Sequence, residues 1–213
     1  MNRSVSAAGG RSKTGARDPG RTRERILAAA LKEFSDNGFA GARVDVIARR
    51  AAINKRMIYH YFGNKEELFR AVLRRKIAER QAWGEATPEE PSKSLPLWFD
   101  LACQDADWIR LLEWEALRGG EKPVLDEAER RAVAQGAVER IRRRQTSGHL
   151  SSEFDPRHVL LAMIGLTTYP VAFPQLTRLI TGRQVSDAQF QKERRDFLRK
   201  FAVALSPSKA KTE

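Results

Sequence analysis

Residues 43–62, RVDVIARRAAINKRMIYHYF, constrain the chain more than any other stretch, because their apolar spacing reads as two short helices meeting at a tight corner. Val44, Ile47, Ala48 and Ala51 fall at i, i+3, i+4 and i+7, which gives one apolar face, while Arg43, Asp45, Arg49 and Arg50 point elsewhere. A corner at Ala52 and Ile53 follows. Asn54 then offers its side-chain oxygen to the free amides of a second helix. In that helix Ile58, Tyr61 and Phe62 form the inward stripe, with Met57 at its edge, and Lys55, Arg56, Tyr59 and His60 lie on or near the opposite side. The outward set is cationic and hydrogen-bonding, as suits an element that enters a major groove between phosphates.

The run IARRAAINKRMIYHYFGNKEELF resembles the DNA-binding signature of the TetR family of one-component transcriptional regulators, and the likeness extends from about Thr22 to Lys76. It implies an all-α chain, a three-helix helix-turn-helix head joined to a larger helical ligand-binding and dimerisation domain. Some positions depart from the family pattern. Members often carry Gly where Ala52 stands, Ser or Thr where Asn54 and Arg43 stand, and a small residue near Arg56. Ala52 in a left-handed conformation costs roughly 1 kcal/mol.

The charge is segregated. Residues 1–76 carry 18 Lys and Arg against 7 Asp and Glu, whereas residues 77–213 carry 21 against 20, so nearly all of the net +12 sits in the N-terminal third. That distribution fits a DNA-reading head on a neutral body better than a uniformly basic or membrane-surface protein. Cys103 is the single cysteine, so neither an internal disulfide nor a zinc spacing is formed, and the cytosol is the expected compartment. The N-terminus lacks the apolar stretch of a signal peptide. The greasiest run, residues 159–173, is too short and interrupted to span a bilayer and is expected to be a buried helix, so no membrane partner is expected.

Residues 1–20 combine Gly, Ser, Ala and Arg without periodicity and read as a flexible basic arm, a DNA-following segment or a solvated tail. Thr22 is expected to cap the first helix, whose stripe Ile26, Leu27, Ala30, Leu31 and Phe34 ends near Gly38. Gly63 ends the recognition helix. Asn64, with Glu67 three residues on, opens a fourth that runs to Trp83, placing Lys65 in a first turn whose free amides suit phosphate. The resemblance implies a lysine used for phosphate here, and Thr22 and Arg23 near the DNA backbone. The expected DNA-binding set is therefore Thr22, Arg23, Arg43, Asn54, Lys55, Arg56, Tyr59, His60 and Lys65.

The head is expected to span 21–76, a regulatory and dimerisation domain 77–205, and a polar tail 206–213, with a loop over 87–94. Helices follow over 95–117, broken near Asp105, and from Pro123 to the triplet Arg142, Arg143 and Arg144, which reads as a solvated helix end rather than a second DNA site. Asp155 and Pro156 open a helix that is apolar on every side, and a last helix follows from Ser186. The resemblance implies a homodimer through these last two helices, with Leu160, Ile164, Phe197 and Phe201 at the interface. It also implies an inducer pocket for an unidentified small-molecule effector, for which Trp98, Trp108, Trp114, Met163, Tyr169 and Phe173 are candidates. Filling a core is the commoner use of any single aromatic.

His149 and His158 have no partner at metal spacing, and no nucleophile motif such as GxSxG occurs, so no metal, cofactor or catalytic constellation is expected. The expected function is a sequence-specific transcriptional regulator, by resemblance a repressor, acting on double-stranded DNA with a near-palindromic site. The competing readings are a helical enzyme or carrier with an incidental basic head, and a ligand-independent architectural DNA binder.

Overall fold

The computed structural model describes residues 18–120 and 123–204, so most of the expected arm and the polar tail lie outside the described residues. Within them the chain forms ten α-helices and no strand. The head comprises α1 (Pro19–Gly41), α2 (Val44–Arg50), α3 (Lys55–Phe62) and the start of α4 (Lys65–Ala86). Asp18, not Thr22, caps α1: its carboxylate accepts from the Gly20 amide at 2.9 Å, and Pro19 occupies the first turn, where its missing N–H costs nothing. Asn54 and Asn64 cap α3 and α4 as expected, accepting from the amides of Arg56 and Glu67, both at 2.9 Å.

The body comprises α5 (Pro91–Gln104), α6 (Ala106–Gly119), α7 (Glu127–Thr146), α8 (Pro156–Ala172), α9 (Pro174–Thr181) and α10 (Ala188–Ala204). The break at Asp105 is present. The loop expected over 87–94 is shorter, because Pro91 takes the first turn of α5 and Ser94 and Leu95 are buried within it. The helix expected from Pro123 starts only at Glu127, after Asp126 at φ 54°. The arginine triplet is not wholly solvated: Arg144 is 6% exposed and donates to the Pro88 carbonyl at 3.0 Å. The short α9, set at 87° to α8, was not legible as a separate element. No single described helix is long and apolar enough to cross a membrane.

Two apolar clusters hold these helices. The first runs through the head, from Ile26, Phe34, Ile47, Ile58 and Leu68, and continues into Trp108, Ile109 and Leu111 of α6. The second joins α5, α7, α8 and α10 through Leu95, Phe99, Ile141, Met163, Phe190 and Leu198. The head is thus packed directly on α6. Phe34 lies at the centre of the first cluster, its ring edge-on to Phe69 at 4.9 Å. Phe34→Ala is expected to cost about 3–5 kcal/mol of stability in urea denaturation, as for other buried aromatics truncated to alanine. A loss below about 1 kcal/mol would place the head's core elsewhere.

Candidate DNA interface and internal cavity

The corner between α2 and α3 is built as the apolar spacing requires. Ile47, Ala48 and Ala51 are buried from one helix, Ile58 and Phe62 from the other, and Ala52 turns the chain at φ 49°. Two side chains from α1 brace it. Arg25 donates to the carbonyls of Ala51 and Ala52, so the strained corner is tied from outside. Glu33, only 3% exposed, accepts from the Arg43 amide at 3.1 Å, where Arg43 itself provides no cap for α2, and lies 3.5 Å from Arg50. Neither residue was singled out from the sequence. The available signal for Glu33 was an acid standing in register with Ala29, Ala30 and Phe34 on the buried face of α1.

This bracing leaves the outer edge of α3 open. Lys55, Arg56, Tyr59 and His60 are exposed, and the side chains of Lys55, Arg56 and His60 make no hydrogen bond or ion pair among the described residues. The other candidates differ in availability. Arg23 lies with its guanidinium 5.3 Å from the Phe62 ring centroid, beside the recognition helix. Thr22 sits half-buried in the first turn of α1. Arg43 is paired with Asp45 at 3.3 Å, and the side-chain oxygen of Asn54 is engaged in its cap. Lys65 is turned onto the protein: its ammonium donates to the Ala40 carbonyl at 3.3 Å and lies 5.0 Å over the Phe39 ring. Burial, with the Arg118 charge, pushes the Lys65 pKa below its ordinary value.

The body holds a half-open cavity of about 660 Å³ walled by α4, α5, α6, α7 and α8. Of the six expected lining residues, Trp98, Trp108 and Met163 are there. Trp114, Tyr169 and Phe173 are not. Trp114 faces α1, where its indole N–H donates to the Ser35 carbonyl at 3.1 Å, and Tyr169 and Phe173 lie against each other, 4.8 Å apart, on an exposed face. Leu160 and Ile164, expected at a subunit interface, also line the cavity, and Ile164 is half exposed. Polar groups were missed: Arg80, Glu113, Arg130, Arg140 and Arg144 reach the same space. Burial pushes the Glu113 carboxyl above the usual range, against the lowering influence of Arg110. His149 and His158 form no metal-ligating group, and none of three or more such side chains occurs among the described residues.

A braced corner presenting an open cationic helix edge, set on an all-helical body, defines a DNA-binding regulator. The family model for bacterial regulatory proteins of the tetR family matches residues 26–72, and that for the tetracyclin repressor-like C-terminal domain matches residues 97–203. The transcriptional repressor SCO4008 of Streptomyces coelicolor is 34% identical over 167 residues, 78% of this chain and 87% of that protein. The transcriptional regulator RutR of Escherichia coli is 30% identical over 184 residues, covering 79% of this chain and 82% of its own length. A solved structure of SCO4942, also from Streptomyces coelicolor, is similar with a TM-score of 0.71 at 28% identity, over 87% of this chain and 98% of that one. The chain belongs to the TetR family, and it is a helix-turn-helix transcriptional regulator.

Ala52 tests the geometry of the corner, because a left-handed alanine carries a penalty that glycine does not. Ala52→Gly is expected to raise stability in urea denaturation by roughly 0.5–1 kcal/mol after the flexibility it adds to the unfolded chain is offset. Destabilisation by that amount would mean the corner is not strained at this residue.

Proposed function

We propose that the chain acts as a homodimeric repressor whose two α3 edges enter successive major grooves of a near-palindromic operator, and whose grip is released by a small molecule bound in the cavity. The observation that carries the reading is the connection between cavity and head. Helix α4 begins at the head and supplies Ile77, Arg80 and Gly84 to the cavity wall, while α6 supplies Trp108, Leu112 and Glu113 and is fastened to α1. That fastening consists of the Trp114–Ser35 hydrogen bond, the Lys32–Asp107 ion pair at 3.2 Å and the longer Arg110–Asp36 pair at 3.8 Å. A ligand that prefers a wider separation of α4 and α6 would shift the population toward heads spaced wrongly for one straight duplex.

Dimerisation is supported by an apolar face that one chain leaves open. Leu161 and Tyr169 on α8, Phe173 between α8 and α9, Leu179 and Ile180 on α9, and Phe197 and Val203 on α10 are exposed, with Leu179 at 77% and Ile180 at 72%. Phe197 is stacked on Phe201 at 5.6 Å. Apolar exposure of this extent marks an interaction surface. On the DNA side, Lys55 and Arg56 are proposed to reach base edges and neighbouring phosphates with Tyr59, while Arg23, His60 and Thr22 hold the backbone. Lys65 would join them by leaving the Ala40 carbonyl.

A selection from random duplex DNA is expected to return a two-fold-related site; binding that ignores sequence would end the reading. Lys65→Ala is expected to weaken binding on all sequences and to flatten the salt dependence by about one unit of log–log slope. An unchanged slope would remove Lys65 from the phosphate contacts. Leu161→Glu, which leaves the cavity and head untouched, is expected to yield monomers in sedimentation and to lose operator binding; a dimer of wild-type stability would move the interface away from α8.

A further inference from the structure

The cavity's polar groups are unequally provided for, and the inequality indicates the chemistry of the ligand. Arg130 is bound by Glu115 through two hydrogen bonds, at 2.6 and 2.8 Å, and Arg80 reaches Asp105 at 3.2 Å. Arg140 and Arg144, one turn apart on α7, have no such acid: the Arg140 side chain makes no hydrogen bond or ion pair among the described residues, and the Arg144 guanidinium has only the Pro88 carbonyl. Arg144 is nine-tenths buried, the charges of Arg140 and Arg143 both work against its own, and the acid that offsets it is the exposed Glu89 at longer range.

The opposing wall makes room for this pair. A Cβ on Gly84 of α4 would stand 2.8 Å from an Nη atom of Arg140, so glycine at that position lets the guanidinium lie across the helix and into the cavity. Glu113, the single acid among the described lining residues, presents a buried Oε1 with no partner among them, and the Nε of Arg80, whose Nη2 is held by Asp105, is likewise buried without one. The situation of Glu113 is not symmetrical with that of the arginines. A buried carboxyl relieves its cost by holding a proton, and burial already pushes Glu113 that way, whereas a guanidinium keeps its charge. The unmet electrostatic need therefore lies at Arg140 and Arg144. The rest of the wall is apolar, with Trp98, Trp108, Leu112 and Met163 among its members.

We propose that the cavity takes an amphipathic organic acid, its carboxylate or phosphate held by Arg140 and Arg144 and its apolar body laid against the tryptophan-lined wall. This rests on the reading of the cavity as an effector site, and it specifies the effector's charge and the two residues that select it. A guanidinium fork with free donors matches a carboxylate or phosphate oxygen pair, and an acid placed there offsets the charge of buried Arg144 and of partly exposed Arg140 beside it. A volume of about 660 Å³ lies within the range of sites that enclose drug-sized ligands.

The test measures binding to the full chain without DNA, by tryptophan fluorescence and calorimetry, for four probes that share one tail: decanoate, decyl phosphate, decan-1-ol and decylamine. At least one of the two anions is expected to bind about tenfold or more tightly than the alcohol and the amine, and their relative order separates a carboxylate from a phosphate ligand. Arg140→Gln is expected to weaken the preferred anion by about tenfold and to leave the alcohol unchanged, with Arg140→Lys between the two. Equal binding of anion and alcohol, preference for the amine, no binding by any of the four, or an Arg140→Gln protein that folds and holds the anion as before would each overturn the proposal. An anion that binds through Arg140 but does not release operator DNA would leave this site standing and count against ligand-controlled repression.

Discussion

The contact between Trp114 and Gly38 is the constraint on which the arrangement of head and body depends. Gly38 sits at φ 65°, and a Cβ there would stand 2.9 Å from the indole of Trp114, so the residue is glycine both for its backbone and for the ring that covers it. The same indole donates to the Ser35 carbonyl just before Gly38, where the non-helical backbone breaks α1 and a helix end otherwise leaves acceptors unsatisfied. Because α1 also supplies Arg25 and Glu33 to the helix-turn-helix corner, a displacement of α6 acts on the element that braces the DNA-reading unit.

The distribution of charge follows the same division of labour. Along α4 and in much of the body, basic side chains are matched to acids: Lys76 and Arg80 to Asp105, Arg70 and Arg74 to Asp126, Arg195 to Asp100, with Arg140 and Arg144 at the cavity among the exceptions. On α3 the Lys55 and Arg56 side chains have no acid partner among the described residues. A protein surface that pairs its charges has little to offer phosphate, whereas an unpaired edge attracts a polyanion and releases its counterions. Arg43 falls between these cases, since its pairing with Asp45 must be given up or shared for it to reach DNA.

Much of the head was legible because its structure is written locally. Caps at Asn54 and Asn64, the apolar stripe of α2 and α3, and the left-handed turn at Ala52 follow from residues a few positions apart. What escaped was set by distant partners. Trp114, Tyr169 and Phe173 carry the same apolar signal as Trp98 and Trp108, and which side of a helix faces a cavity, another helix or a second chain is decided by packing. Arg144 looked like a charged helix end because its position in α7 is terminal, while the turn at Pro88 that buries it lies 56 positions earlier. The apolar character of α8 is read from the sequence as one face covered by the chain's own core and the other by a second copy. One side is indeed within the body through Met163 and Thr167, and the opposite side lacks a cover in a single chain.

That uncovered side bears on how a cavity ligand acts. Helix α8 contributes Leu160, Met163 and Ile164 to the cavity and Leu161 to the open apolar face, so the wall proposed to meet an effector and the surface proposed to meet the partner belong to one helix. A dimer contact that fixes α8 would make it the stationary wall. The response to a ligand would then fall on α4 and α6, which carry the heads, rather than be spent on moving α8. The energetic requirement on that response is modest for a partial effect and steep for a complete one: changing a two-state population from 1:99 to 99:1 takes a differential affinity of about 5.5 kcal/mol. In the proposed dimer, two ligands would share that differential affinity, about half each, only if both subunits switch together; if each cavity acts on its own α4 and α6 alone, a single displaced head already weakens the grip on a duplex that needs both.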